Sequence, residues 1–260
     1  MSKINIIILI IFIVAFAIIW FKVTLPYLKN LKKARTLRNV KDMLQENKIE
    51  EAINLLRNTA DTKNLNDPAF SALFTVLISY DRMKEAEELL ESVPDELKRT
   101  DEYSLQRGYL FYLKKDYNTA KSLYQSIIDK QSPKKGLALS NLGALLVQTG
   151  EATEVAIKYL KEALNENPSN PANYGIYFNI SLAYLNLKQY NEALLHAEVG
   201  LDLLPKDSFP SNKAYAHHIM SKAYRGLGNL KEAKKQLMLA YELTPSGSAR
   251  DKLKEELEGI

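Results

Sequence analysis

The stretch GNLKEAKKQLMLAY, residues 228–241, decides how this chain is read, because five other stretches can be laid over it: NKIEEAINLLRNT (47–59), DRMKEAEELLESV (81–93), KDYNTAKSLYQSI (115–127), GEATEVAIKYLKEAL (150–164) and KQYNEALLHAEVGL (188–201). Each opens on a short polar turn and runs on with the 3.6-residue apolar period of a helix. Each holds an alanine at the same place, Ala52, Ala86, Ala120, Ala156, Ala193 and Ala233, spaced 34, 34, 36, 37 and 40 residues apart. The spacing grows through loop insertions, NENPSNPAN (165–173) and PKDSFPSNK (205–213). A second apolar-periodic stretch precedes each turn, so the repeating unit is a helical hairpin. One hairpin cannot bury its apolar face alone, and a row of them predicts stacking into a continuous core.

The repeat resembles the tetratricopeptide repeat (TPR), a pattern of small residues at a helix crossing, aromatics beside them and a closing proline. In the sixth unit these roles fall on Tyr224, Leu230, Ala233, Leu237, Ala240 and Pro245, and in the fifth on Tyr184, Tyr190, Ala193, Ala197, Gly200 and Pro205. The fourth offers Leu142, Gly143, Ala156, Leu160, Ala163 and Pro168, and the third Gly108, Phe111, Tyr117, Ala120, Tyr124, Ile127 and Pro133. The first two units match more weakly. The resemblance implies an all-α, right-handed superhelical solenoid of antiparallel helix hairpins. Its six repeats would cover residues 33–245, at about 33–66, 67–100, 101–135, 136–173, 174–213 and 214–245. Residues 246–260, with Leu253 and Leu257 four apart, are expected to form a capping helix.

After a short tail (1–3), residues 4–21 read INIIILIIFIVAFAIIWF, an uncharged run of 18. At ~1.5 Å per residue such a helix spans roughly 27 Å, close to a hydrocarbon core of about 30 Å. A single-pass transmembrane helix is therefore expected, in preference to a cleaved signal peptide, which has a shorter apolar run and small residues at its cleavage site. Residues 22–41 carry Lys22, Lys29, Lys32, Lys33, Arg35, Arg38 and Lys41 and no acid. A basic linker (22–32) is expected to follow the span. Lys22, Lys29, Lys32, Lys33 and Arg35 are expected near anionic lipid headgroups, and the positive-inside bias places the solenoid on the cytoplasmic side of a bacterial-type plasma membrane. The opposite, extracytoplasmic topology stays open.

The chain's net charge is +4. Seven positive charges in residues 22–41 and an eighth at Lys3 leave residues 42–260 at −4, which argues against nucleic acid as a partner. Cysteine is absent, which excludes disulfides and thiolate metal sites. No phosphate loop, metalloprotease histidine pair or nucleophile elbow occurs, and the adjacent His217 and His218 cannot share a helix face. No catalytic residue, cofactor or metal is expected.

The expected function is therefore a membrane-tethered scaffold that holds a peptide or protein segment for assembly or regulation of an envelope complex. The alternatives are an extracytoplasmic scaffold in secretion, pilus or envelope assembly, a self-assembling solenoid, and an enzyme with its site in the groove. In the family the inner face of each first helix is the default binding surface. On that registration the groove candidates are Tyr109 and Tyr112, Asn141, Phe178 and Asn179, and Tyr215, His218, Lys222 and Arg225. Aromatics beside amides suit a peptide, the amides pairing with its backbone and the rings taking apolar side chains.

Overall fold

The computed structural model describes residues 25–260 apart from 207, 209, 245 and 246. Among them thirteen α-helices follow one another without a strand. They pair as hairpins: α1 (Leu25–Gln45) with α2 (Ile49–Arg57), α3 (Pro68–Ser79) with α4 (Met83–Glu91), α5 (Asp101–Leu113) with α6 (Tyr117–Asp129), α7 (Lys135–Thr149) with α8 (Thr153–Glu166), α9 (Asn173–Asn186) with α10 (Tyr190–Asp202), and α11 (Pro210–Gly226) with α12 (Leu230–Leu243). A last helix, α13 (Ser248–Glu258), packs on α12. The chain divides into two compact units, Met1–Tyr103 and Ser104–Ile260.

Three residues separate the helices of every hairpin, and five of the six turns share one backbone solution. The middle residue takes a left-handed conformation at Asn47, Asp81, Lys115, Lys188 and Gly228. Its N–H returns to the carbonyl three residues back, and the next N–H reaches five back, as in Lys188 to Leu185 (3.0 Å) and Gln189 to Tyr184 (2.9 Å). This double bond closes two helix carbonyls that would otherwise lack partners. Only the last of the five uses glycine, so the other four hold a Cβ where it crowds the carbonyl. Lys188→Gly relieves that crowding at an exposed site (φ 58°) and raises the entropy of the unfolded chain in return. The expected net gain is a few tenths to about 1 kcal/mol, read as a higher urea midpoint at unchanged slope.

In the unit Met1–Tyr103 the core gathers Ile53, Leu56, Phe70 and Leu77 around the crossing residues Ala52 and Ala86. Buried Asp67 caps α3, its carboxylate accepting from Ala69 N at 2.7 Å with Pro68 in the first turn. The same carboxylate pairs with Lys33 of α1. Arg82 joins α2 to α4 by donating to Glu50 (2.5 Å) and to Glu85, which also receives Arg57.

In the unit Ser104–Ile260 the crossing residues Ala120, Ala156, Ala193 and Ala233 are wholly buried. Small residues there admit close backbones and large neighbours. A Cβ on Gly108 would stand 2.6 Å from the Tyr124 ring, and one on Gly200 would stand 2.5 Å from that of Phe178. A repeated polar clasp joins first to second helix at the same crossing. Ser181 Oγ donates to Ala193 O (2.5 Å) and Ser221 Oγ donates to Ala233 O (2.8 Å). The inserted loop before α9 is held by Asn173, whose amide donates to Asn167 O (2.9 Å) and Pro168 O (3.2 Å).

Two expectations need correction. The transmembrane helix expected at 4–21 lies outside the described residues, and among the described residues no helix is long and apolar enough to cross a membrane. The longest, α1, carries Lys29, Lys32, Lys33, Arg35, Arg38 and Lys41, charges too costly for hydrocarbon. The architecture supported is an all-α, TPR-like solenoid of helix hairpins, without the membrane anchor, bilayer contact or plasma-membrane location read from the sequence. The lipid-facing role of the basic stretch falls with them. Lys33 is paired with Asp67, Lys29, Lys32 and Arg35 belong to the continuous helix α1, and Lys22 lies outside the described residues.

Candidate functional site

First helices α7, α9 and α11 pack in sequence on one another, so in the unit Ser104–Ile260 they present one side together. Tyrosines stand on first helices of this unit. Tyr109 and Tyr112, one turn apart on α5, stack with ring centres 6.1 Å apart at 16°. Tyr117, at the start of α6, leans on Tyr112 at 6.0 Å. From α11, Tyr215 sets its ring against the edge of Phe178 at 5.8 Å. Tyr109 and Tyr215 keep 38% and 43% of their surface exposed, so rings are available to a ligand. Desolvation raises the pKa of Tyr109, Tyr112 and Tyr215, and the Tyr112 phenol adds to the rise at Tyr215. Helices α5 and α11 thus each present partly open rings, in two ring groups.

Other residues singled out from the sequence are placed differently. Phe178 is only 3% exposed and lies in the core against Gly200, where it supports Tyr215 from below. Asn141 bonds its side chain to the hydroxyl of buried Tyr124, and Asn179 is half-buried on α9. Along α11, Tyr215, His218, Lys222 and Arg225 recur at helical spacing and form one stripe. Lys222 and Arg225 are exposed. His218 Nε2 meets the carboxylate of Glu256 from α13 at 3.1 Å. Tyr117 and Glu256 did not emerge from the sequence as site residues. Tyr117 was visible only as the hydrophobe of a repeat turn, and the reach of Glu256 depends on how α13 docks.

A second concavity of about 600 Å³ lies between α8 and α9, with Lys161, Asn165, Tyr177 and Leu203 on its walls. Beside it His196 is stacked between Tyr177 (6.0 Å) and Tyr184 (5.3 Å), its Nδ1 buried without a partner.

Both His196 and His218 have lowered pKa values. Burial is the main cause for each. Lys161 adds to it at His196 against Glu192, and Lys222 and Arg225 add to it at His218 against Glu256. Below the ordinary value of 6.5 the unfolded chain takes up protons that these folded histidines resist. The stability they contribute is therefore complete above pH 6.5 and is lost as pH falls through their folded values. Urea midpoints measured from pH 7.5 to pH 5 are expected to fall, and less steeply in the double variant His196→Phe, His218→Gln.

Among the described residues no group of three or more His, Cys, Asp or Glu could hold a metal ion.

Known families and folds agree with the hairpin architecture. Tetratricopeptide repeat models match residues 43–107 and, separately, residues 174–198 with 214–246. Between the matches, α5 to α8 form hairpins with the same three-residue turns. Comparison with the curated proteins gives no match. Among solved structures, a chain of the APC/C hetero-tetramer Cut9–Hcn1 aligns with a TM-score of 0.65 at 19% identity, over 87% of this chain and 42% of that one. PilF of Pseudomonas aeruginosa aligns with a TM-score of 0.51 at 16% identity, over 88% of this chain and 99% of its own. MamA AMB-1 gives 0.48 at 22%, over 67% and 96%. At these identities the first two establish likeness of fold.

Proposed function

We propose that this chain is a protein–protein interaction scaffold, which receives a segment of a partner protein on the tyrosine face of the unit Ser104–Ile260. The observation that carries this reading is the cluster of Tyr109, Tyr112 and Tyr215, half-open rings on first helices with a packed core directly beneath them. Aromatic rings held rigid in this way bury much area at little entropy cost and serve as anchors of interfaces. Asn179, half-buried on the first helix α9, would offer an amide to a bound backbone. The TPR-type fold is shared with a chain of the Cut9–Hcn1 hetero-tetramer, a protein that assembles with another, and this supports a binding role. Of the settings open from the sequence, an extracytoplasmic scaffold in secretion, pilus or envelope assembly suits this reading better than a membrane-tethered one.

A photoreactive residue replacing Tyr112 in living cells tests the proposal. One dominant protein adduct that weakens when Tyr215→Ala or Asn179→Ala is added is the expected result. No adduct from folded, abundant protein would overturn it.

A further inference from the structure

We infer that the partner segment is acidic, an inference that rests on the tyrosine face being the binding surface. In the unit Ser104–Ile260 acidic residues are segregated by helix type, while lysines occur on both. The second helices α6, α8, α10 and α12 carry nine Asp and Glu, whereas the first helices, from residue 104 onward, carry none. Those first helices hold Arg107, Lys135, Lys213, Lys222 and Arg225. Two of the five are already engaged, Arg107 over the Phe111 ring and Lys135 with Glu162 and Glu166. Lys222 and Arg225 make no ion pair among the described residues and continue the stripe that begins at Tyr215. Both lie near enough to His218 to depress its protonation.

The protein itself shows what this stripe accepts. Glu256 of α13 sets its carboxylate on His218 at 3.1 Å, one helical turn before Lys222. A partner carboxylate placed one turn further on would meet both free cations. Arg225 offers a two-pronged donor and Lys222 a point charge. An aliphatic or aromatic side chain on the same segment would reach the Tyr109–Tyr112 stack. A basic segment would meet uncompensated positive charge, so the face also discriminates by repulsion.

The test begins with selection of twelve-residue random peptides on phage against the full chain. Enriched peptides are then measured by fluorescence anisotropy against the wild type, Lys222→Glu with Arg225→Glu, Tyr112→Ala, Tyr215→Ala and, as a charge control on a second helix, Lys234→Glu. The expected peptides are rich in Asp and Glu, with one or two large apolar residues. The double reversal is expected to weaken them about tenfold or more, with a steep loss of wild-type affinity in added salt. The tyrosine variants should weaken them too, and Lys234→Glu should leave affinity unchanged. Peptides without acidic residues, or peptides indifferent to the double reversal yet weakened by Tyr112→Ala, would overturn the acidic partner while leaving the tyrosine face standing. Peptides indifferent to both tyrosine variants would overturn the site and the inference together, as would a selection that enriches nothing.

Discussion

Tyr124→Ala is expected to cost about 3–5 kcal/mol, the range for deleting a large aromatic ring from a packed interior. Tyr124 is 1% exposed and sits in the cluster formed with Leu105, Ile127 and Leu142, so no solvent-facing repacking can refill the space. Its ring lies where Gly108 of α5 lacks a side chain, and its hydroxyl is bonded to Asn141 of α7. One residue on α6 therefore ties together three helices from two successive hairpins. Equilibrium urea unfolding followed by circular dichroism measures the loss. Tyr124→Phe keeps the ring and gives up the hydroxyl bond, and should cost only about 1 kcal/mol. Gly108→Ala pushes a methyl into the ring and should cost about 1–3 kcal/mol in the wild type. In the Tyr124→Ala background that methyl enters vacated space, so the two costs should not add. Additive costs would mean that ring and glycine do not meet.

Phe178→Ala is expected to lose a similar 3–5 kcal/mol and, unlike Tyr124→Ala, to weaken partner binding through the site's foundation. Phe178 meets Tyr174 at 5.9 Å and Tyr215 at 5.8 Å, with Gly200 of α10 beneath it. Removing the ring leaves Tyr215 without its edge-on support, so an exposed anchor gains rotamer freedom that binding must remove. Gly200→Ala attacks the same contact from the other side. Its Cβ would stand 2.5 Å from the ring, and displacing the ring should cost about 1–3 kcal/mol. Urea unfolding read beside the crosslinking yield at Tyr112 separates the two roles. A stable Phe178→Ala protein would mean that the ring is not part of the core.

The crossing alanines and the hairpin period were legible because a small residue at a helix crossing recurs with the repeat, and recurrence survives in one sequence. Placement around a helix was harder to read. Helix α9, NYGIYFNISLAYLN, is apolar almost all round, so periodicity cannot say whether Phe178 or its neighbours face the groove. The sequence reading put Phe178 in the groove, and packing against Gly200 and Ile219 puts it inside. Lys33 read as one charge in a basic run because its partner, Asp67, stands 34 residues away. Four of the left-handed turn residues were invisible for another reason. Asn, Asp and two Lys occupy a conformation that composition assigns to glycine, and the two-bond closure of the turn holds them there. Tyr109, Tyr112 and Tyr215 could be placed on first helices from spacing alone. Their ring partners, Tyr117 and Phe178, needed the packing.

Among the described residues, every pair of helices found in contact consists of neighbours or next-but-one neighbours along the chain. Such a protein has little need to search for distant segments, and chains dominated by local contacts fold in microseconds to milliseconds. The pattern also gives synthesis a direction. Within the unit Ser104–Ile260, a hairpin has its predecessor already in place when it leaves the ribosome, and needs no later segment except the next hairpin to cover its exposed side. After the sixth hairpin, Leu253 of α13 closes over Leu237 and Ala240 in that role. A nascent chain stalled before α13 has emerged would leave this one apolar side open, and chaperones would bind there.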